Sequence, residues 1–434
     1  MKKSFLLSVF LAVAVCVIAQ APRREIRKNL RLSASNLLAY PGPRQHTLTP
    51  PPEGMRPFYI SHYGRHGSRY HTRPSIYNAP YYVLTDADKA GQLTPLGRDV
   101  MQRLDRIRRD AYRQWGELTD LGAEQHRQII TRMYERFPEV FADSAAIVAY
   151  STPVIRCVLS MENAMLRLLQ LAPGIQLKHD ASQQNASTLN YQDRGLMALR
   201  MDSTAKSAYT AYMQKTLRAD RLMRSLFRDQ QWVSEKVNVS QFCEDLFRVA
   251  SILQNSDIAT KETLYDIYTD DEIYRNWKIS NVWWYLSYAS TPVNGHLQPY
   301  TQRRLLNNII NDADAAISRQ GTGANLRYGH ETALLPLCCL LDINGCGLST
   351  TKLTRLDKMG WVNYRIFPMG GNLQFVFYRR SPSDTDVMFK VLLNENEATL
   401  PLKSSMAPYY RWADFKEYCK RILDEYPNLR KQKK

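Results

Sequence analysis

The chain has 434 residues, with 58 Lys and Arg against 41 Asp and Glu and a formal charge of +17. At 44% hydrophobic and 11% aromatic residues it can bury a sizeable core, which excludes disordered, collagen-like and coiled-coil classes. Apart from one N-terminal run, nothing approaches twenty consecutive apolar residues, which excludes a polytopic membrane protein.

Lys2 and Lys3 precede a 16-residue apolar stretch from Ser4 to Ala19, and Arg23, Arg24 and Glu25 follow. This layout predicts a secretory signal peptide over 1–19, too short for an ordinary membrane span. Lipid attachment through Cys16 is the weaker reading, because Val15 stands where a small residue is needed. Cleavage after Ala19 removes two lysines and leaves an exported protein of charge +15. Such a charge is either a solvated cationic surface or the mark of an anionic partner. Export and the lack of a long Lys/Arg-only block argue against nucleic acid, leaving an acidic membrane face or a polyphosphorylated small molecule. An oxidising compartment permits disulfides among Cys157, Cys243, Cys338, Cys339, Cys346 and Cys419. Cys339 and Cys346 flank the turn Asn344-Gly345 and make the best local pair; buried unpaired thiols are an equal alternative. No C-x-x-C pair supports a zinc ribbon.

Prolines break residues 41–57 into loop, after which Phe58-Tyr59-Ile60 reads as a buried strand running into Gly64 and Gly67. Val100, Leu104, Ile107, Ala111 and Trp115 repeat at helical spacing, and a second helix over about 120–136 can be capped by Thr119 or Asp120. A strand from Ala145 to Tyr150 ends at Ser151-Thr152-Pro153, followed by a helix from Val154 to Leu171. Residues 181–300 are polar, helically periodic and poor in strand signals. Helical spacing continues at Leu305, Ile309, Ala313 and Ile317, then come a strand at Asn325–Tyr328 and an apolar helix at Glu331–Leu341. Leu373–Arg379 and Val387–Leu393 read as a hairpin. The order predicts an α/β core built from 20–180 and 301–434, with a mainly helical cap over 181–300.

Chemistry concentrates in Arg65-His66-Gly67-Ser68-Arg69, directly after the first strand, where open α/β sheets place ligands. Guanidinium forks bind phosphate oxygens in pairs, and a histidine among such cations stays neutral, so its free nitrogen can attack phosphorus. A basic turn with a solvated histidine is the plainer alternative. His62 and His66 share the spacing of a helical zinc pair, but Gly64 intervenes and no Glu follows His62. There is no G-x-S-x-G elbow, no phosphate-binding G-x-x-x-x-G-K-[ST] loop and no dinucleotide fingerprint.

Arg65-His66-Gly67-Ser68-Arg69 resembles the R-H-G-x-R motif of the histidine acid phosphatases. His330-Glu331, within Arg327-Tyr328-Gly329-His330-Glu331-Thr332, is similar to that family's second motif, and Ser151-Thr152-x-x-x-Arg156 to its intermediate strand-end segment. Gly91-Gln92-Leu93-Thr94-Pro95-Leu96-Gly97 and Leu118-Thr119-Asp120-Leu121-Gly122 look most like the multiple inositol polyphosphate phosphatase branch. Two positions depart. His71 stands where the first motif commonly has a proline, and Glu331 follows His330 directly, where that branch writes His-Ala-Glu.

The resemblance implies a mostly parallel, phosphoglycerate-mutase-like sheet flanked by helices, with an inserted helical cap. It implies a phosphomonoesterase needing no cofactor or metal, acting on inositol polyphosphates such as phytate. His66 would be the nucleophile, Glu331 the proton donor to the leaving alcohol, and Arg65, Arg69, Arg156 and His330 the phosphate clamp. A broad-specificity acid phosphatase and a non-catalytic polyanion-binding protein are the alternatives. Trp283-Trp284 reads as cap core.

Overall fold

The computed structural model describes residues 22–190 and 193–432; the signal-peptide reading of 1–19 and Cys16 lie outside them. In chain order the strands are β1 (Arg56–Arg65), β2 (Ala146–Ser151), β3 (Gln176–Asp180), β4 (Gly323–Gly329), β5 (Asn372–Arg379), β6 (Met388–Leu393), β7 (Asn396–Ala398) and β8 (Tyr409–Arg411). The longer helices are α1 (Pro74–Lys89), α2 (Pro95–Asp110), α3 (Asp120–Arg136), α4 (Ile155–Leu171), α5 (Ser203–Thr216), α6 (Val239–Ile252), α7 (Asp270–Tyr288), α8 (Arg303–Ser318), α9 (Glu331–Leu340) and α10 (Trp412–Gln432).

One mixed sheet runs β3-β2-β4-β1-β5-β6-β7, with β8 pairing β6. One half is parallel, β3 on β2, β2 on β4 and β4 on β1. Its other half is antiparallel, because β5 and β6 are joined by a short turn rather than a helical crossover. Alternate side chains go to opposite faces. Ile60, Ile147, Leu326 and Val376 meet α3 and α4 in one cluster. Tyr59, Phe375 and Phe377 meet α8, α9 and α10 in another. Each fully buried Leu or Ile in these layers contributes about 2 kcal/mol of transfer free energy.

Between β3 and β4 every described element is helical. The helices there do not pack alone, for α1 and α2 share one hydrophobic cluster with α6 and the first half of α7. No helix among the described residues is long and apolar enough to cross a membrane.

Some elements differ from the sequence expectation. α2 stops at Asp110, short of Trp115, because the chain turns through Arg113 and Gly116 at positive φ. Thr94 caps its start and Pro95 sits in its first turn. α1, β3, β8 and α10 carry weaker local signals and are additions to the sequence reading. The six described cysteines, Cys339 and Cys346 included, are buried free thiols.

Candidate active site

Three parallel strands end at one place. β1 delivers Arg65 as its last residue and then His66; β2 delivers Ser151-Thr152; β4 delivers Gly329 and His330. The segment after β1 is drawn into the sheet edge by backbone bonds: the His66 amide donates to Gly329 O (3.0 Å), and the Arg65 amide to Gly371 O (2.8 Å). Gly67 and Gly122 make a close crossing beside it. A Cβ on Gly67 would lie 2.3 Å from Gly122 O, and one on Gly122 would lie 2.2 Å from Ser68 O. Gly329 meets a similar demand, as its Cβ would fall 2.2 Å from the Tyr63 hydroxyl, which accepts the His330 amide (3.1 Å).

His66 is almost fully buried. Its Nδ1 lies 2.9 Å from Gly67 O, and a carbonyl can only accept, so Nδ1 carries the ring proton. Nε2 is therefore the lone-pair nitrogen; it has no hydrogen-bond partner in the protein and sits 3.7 Å from Glu331 Oε2. Burial, and then the charges of Arg65, Arg69 and Arg156, push the imidazole well below its ordinary pKa, so the ring stays neutral.

Arg65 Nε is 3.0 Å from Glu331 Oε2, while its Nη1 donates to Asn36 O (2.7 Å) and Phe367 O (2.9 Å). Its Nη2, with Arg69 Nε and Arg156 Nε, is buried without a partner. Burial opposes ionisation of Glu331, but Arg65 and Arg69 outweigh it and hold the carboxyl down to about 2. His330, whose ring centroid is 5.8 Å from that of His66, has Thr152 Oγ1 at 3.3 Å from Nε2 and is lowered to about 4 by burial. Arg156, in the first turn of α4, completes the group; the amide of Gly67 donates to Ser160 Oγ on the same helix (3.1 Å). All six sequence-predicted site residues thus gather in one cluster. The ligand atoms of His66, His330 and Glu331 lie within 4.8 Å of one another, the one such group among the described residues. By distance they could hold a cation. That position faces Arg65 and the charges of Arg69 and Arg156, a setting that suits an anion.

His62 is elsewhere. Within β1, its buried ring packs against Tyr328, with burial, then His126 and Arg327, lowering it to about 3.

Several residues escaped sequence reasoning. Ser68, the variable position of the first motif, takes Gln125 Oε1 on its amide (2.9 Å), and its hydroxyl donates to Asn255 Oδ1 (2.7 Å). Gln125 comes from α3 and Asn255 from just beyond α6, and both are buried. Neither lies in a motif, so only the fold connects them to the site. A cleft of about 500 Å³ opens from Arg69 and Glu331 toward the helical layer, lined also by His71, Arg73, Arg248 and Trp283-Trp284. Trp284 is core, stacked on Tyr288, but the pair also forms cleft wall.

Solved structures resemble this architecture. The multiple inositol polyphosphate phosphatase of Bifidobacterium longum, solved with inositol hexasulfate, superposes with a TM-score of 0.73 at 17% identity, covering 89% of this chain and 97% of that one. The phytase of D. castellii gives 0.64 at 13% identity, over 91% of this chain and 85% of that one. The phytase of Citrobacter braakii gives 0.52 at 14% identity, over 85% and 98%. At such identities the likeness is one of fold. No curated protein matches the chain closely in sequence. The family model of the histidine phosphatase superfamily (branch 2) matches residues 65–394, from the first arginine of the cluster to well past Glu331. The chain is therefore a member of the histidine phosphatase superfamily, branch 2, and a phosphoric monoester hydrolase.

Proposed function

We propose that the protein is an exported phosphatase that hydrolyses inositol polyphosphates of the phytate type through a phosphohistidine on His66. The observation that carries this reading is the tautomer of His66: Gly67 O holds the proton on Nδ1, leaving Nε2 unprotonated and unpartnered among three arginines. In the first step Nε2 attacks phosphorus and the ester P–O bond breaks, with its electron pair leaving on the alcohol oxygen. Water then cleaves the P–N bond. Arg65 Nη2, Arg69, Arg156 and His330 hold the phosphoryl oxygens as charge develops on them.

Glu331 protonates the departing oxygen. Arg65 and Arg69 hold its carboxyl down, so it must gain a proton on the way to reaction. An arriving phosphate supplies the cause: its negative charge offsets Arg65 and Arg69 and leaves burial to raise the carboxyl. The arginines beyond the reacting phosphate, Arg73 and Arg248, favour a substrate with several phosphates over a simple monoester. The apolar run before Ala19 supports export.

The test compares phosphate release from phytate and from a simple alkyl monoester, alongside acid-quench trapping with radiolabelled substrate. Wild type should favour phytate and yield an acid-labile, alkali-stable label that His66→Ala lacks. Equal kcat/KM on the two substrates reduces the reading to a general acid phosphatase; substantial turnover in His66→Ala refutes the mechanism.

A further inference from the structure

A second concavity, about 590 Å³ and so slightly larger than the catalytic cleft, lies on the helical layer. Arg23, Arg24 and Arg27 enter it from the start of the described chain, and Arg275 and Lys278 from α7. Lys215, at the end of α5, and Lys358 complete the lining, in which Asp271 is the lone acid.

The same two helices build both cavities. On α7, Asp271, Tyr274, Arg275 and Lys278 share one face and turn toward the basic groove, whereas Asn276, Ile279, Ser280 and Trp283 line the catalytic cleft. On α5, Tyr212, Lys215 and Thr216 face the groove, and Tyr209 and Met213 the cleft. The cavities stand back to back across this two-helix wall.

The cations are only partly paired. Asp271 takes both Arg23 (2.8 Å) and Arg275 (2.5 Å), Asp270 takes Arg27 (3.4 Å) and Asp357 takes Lys278 (3.7 Å). Leaving Arg24 aside, the other six cations of the groove outnumber these three acids by three. Lys215 and Lys358 have no carboxylate within 4.0 Å among the described residues. A concave site with several cations focuses its field on a small polyanion better than a flat basic face does. Tyr274 adds a wall on which Arg23 (5.4 Å) and Lys278 (5.8 Å) are already positioned.

We infer that this groove is a second binding site, separate from the catalytic cleft, for a small molecule bearing several phosphate or sulfate groups. The site takes the substrate class proposed above, but its existence rests only on the charge and shape of the groove. A groove of this volume suits a ring-sized polyanion.

Inositol hexasulfate, which carries no phosphoryl group to transfer, is the probe. Titration calorimetry at low salt should give two equivalents bound to wild type and one to Lys215→Glu/Lys358→Glu, with affinity at the lost site reduced about tenfold or more. The variant should keep wild-type hydrolysis of p-nitrophenyl phosphate and wild-type inhibition of it by the probe, which shows that it is folded and that the cleft is intact. Stoichiometry reports on the groove and inhibition on the cleft, so failures of the two readings are distinguishable. One equivalent on wild type, or two on the variant, overturns the inference. So does wild-type binding to anionic phospholipid vesicles that the variant loses while both retain the same probe stoichiometry, because the groove would then be a membrane contact.

Discussion

Replacing Gly122 with alanine places a methyl carbon 2.2 Å from Ser68 O and 2.8 Å from Ser68 N, where real Cβ contacts essentially never fall below 3.0 Å. Both obstacles are backbone, so no side chain can swing away. Relief requires the Gly67–Arg69 segment and the start of α3 to separate by about 1 Å, and a misplacement of that size costs on the order of 100-fold in rate. The same shift stretches the bonds from Gly122 N to Thr119 Oγ1 (3.2 Å) and from Thr119 Oγ1 to Ser68 O (3.1 Å), each worth about 1 kcal/mol. Helix propensity acts in the opposite direction, since Gly to Ala inside a helix gains up to about 1 kcal/mol. The sign of the stability change therefore decides between the close crossing and propensity. Steady-state kcat on p-nitrophenyl phosphate and Tm should both fall in Gly122→Ala. Gly321→Ala, with nothing within 4 Å of the added carbon and an ordinary φ, should leave both unchanged. A Gly122→Ala enzyme with kcat within twofold of wild type and an unchanged or higher Tm would refute the account of this crossing.

Glu331→Gln should lower kcat on phytate by about 100-fold or more yet spare p-nitrophenyl phosphate, whose phenolate departs without a proton; equal losses would mean that Glu331 only orients Arg65. Dialysis against EDTA should leave full activity, as arginines meet the phosphate charge, and loss restored by zinc would assign the His66–His330–Glu331 group to a metal instead. Buried His62 and His126, lowered to about 3 and about 4 mainly by burial, stay neutral when folded but take up protons below about 6.5 when unfolded. Stability should therefore be full above about pH 6.5 and fall as pH drops toward 4, by roughly 2 kcal/mol per histidine at pH 5. Denaturant melts at pH 7.5 and 5 check this, and His126→Gln should flatten the profile; an unchanged slope counts against the burial argument.

What could be read from the sequence was what local chemistry encodes. β1 is legible as an apolar run stopped by glycine, β4 as a short strand before Gly329, α3 by its Thr119 cap, and the hairpin of β5 and β6 by a polar turn between hydrophobic strands. The six candidate site residues are legible because each lies at or just after a strand end, within two short motifs and one intermediate segment. Gln125 and Asn255 are not, because they act through a serine 57 and 187 residues away in sequence. α10 is not legible because its pattern is diluted by charge, and neither is the pairing of β5 on β1 or of β7 and β8 on β6, because register depends on partners rather than on the strand itself. The spacing of Cys339 and Cys346 suits a local disulfide, yet both are buried free thiols in the packed core.

The bond from Ser68 to Asn255 has a mechanical consequence. Asn255 also donates to Leu37 O (2.8 Å) and Ile252 O (3.1 Å), so the turn after β1, the N-terminal segment and the end of α6 are spliced through one amide. Swinging α6 outward as a lid would pull Ser68 with it and dismantle the very turn that carries His66. The width of the cleft and the placing of His66 are thus coupled: whatever moves the end of α6 also moves the turn beneath it.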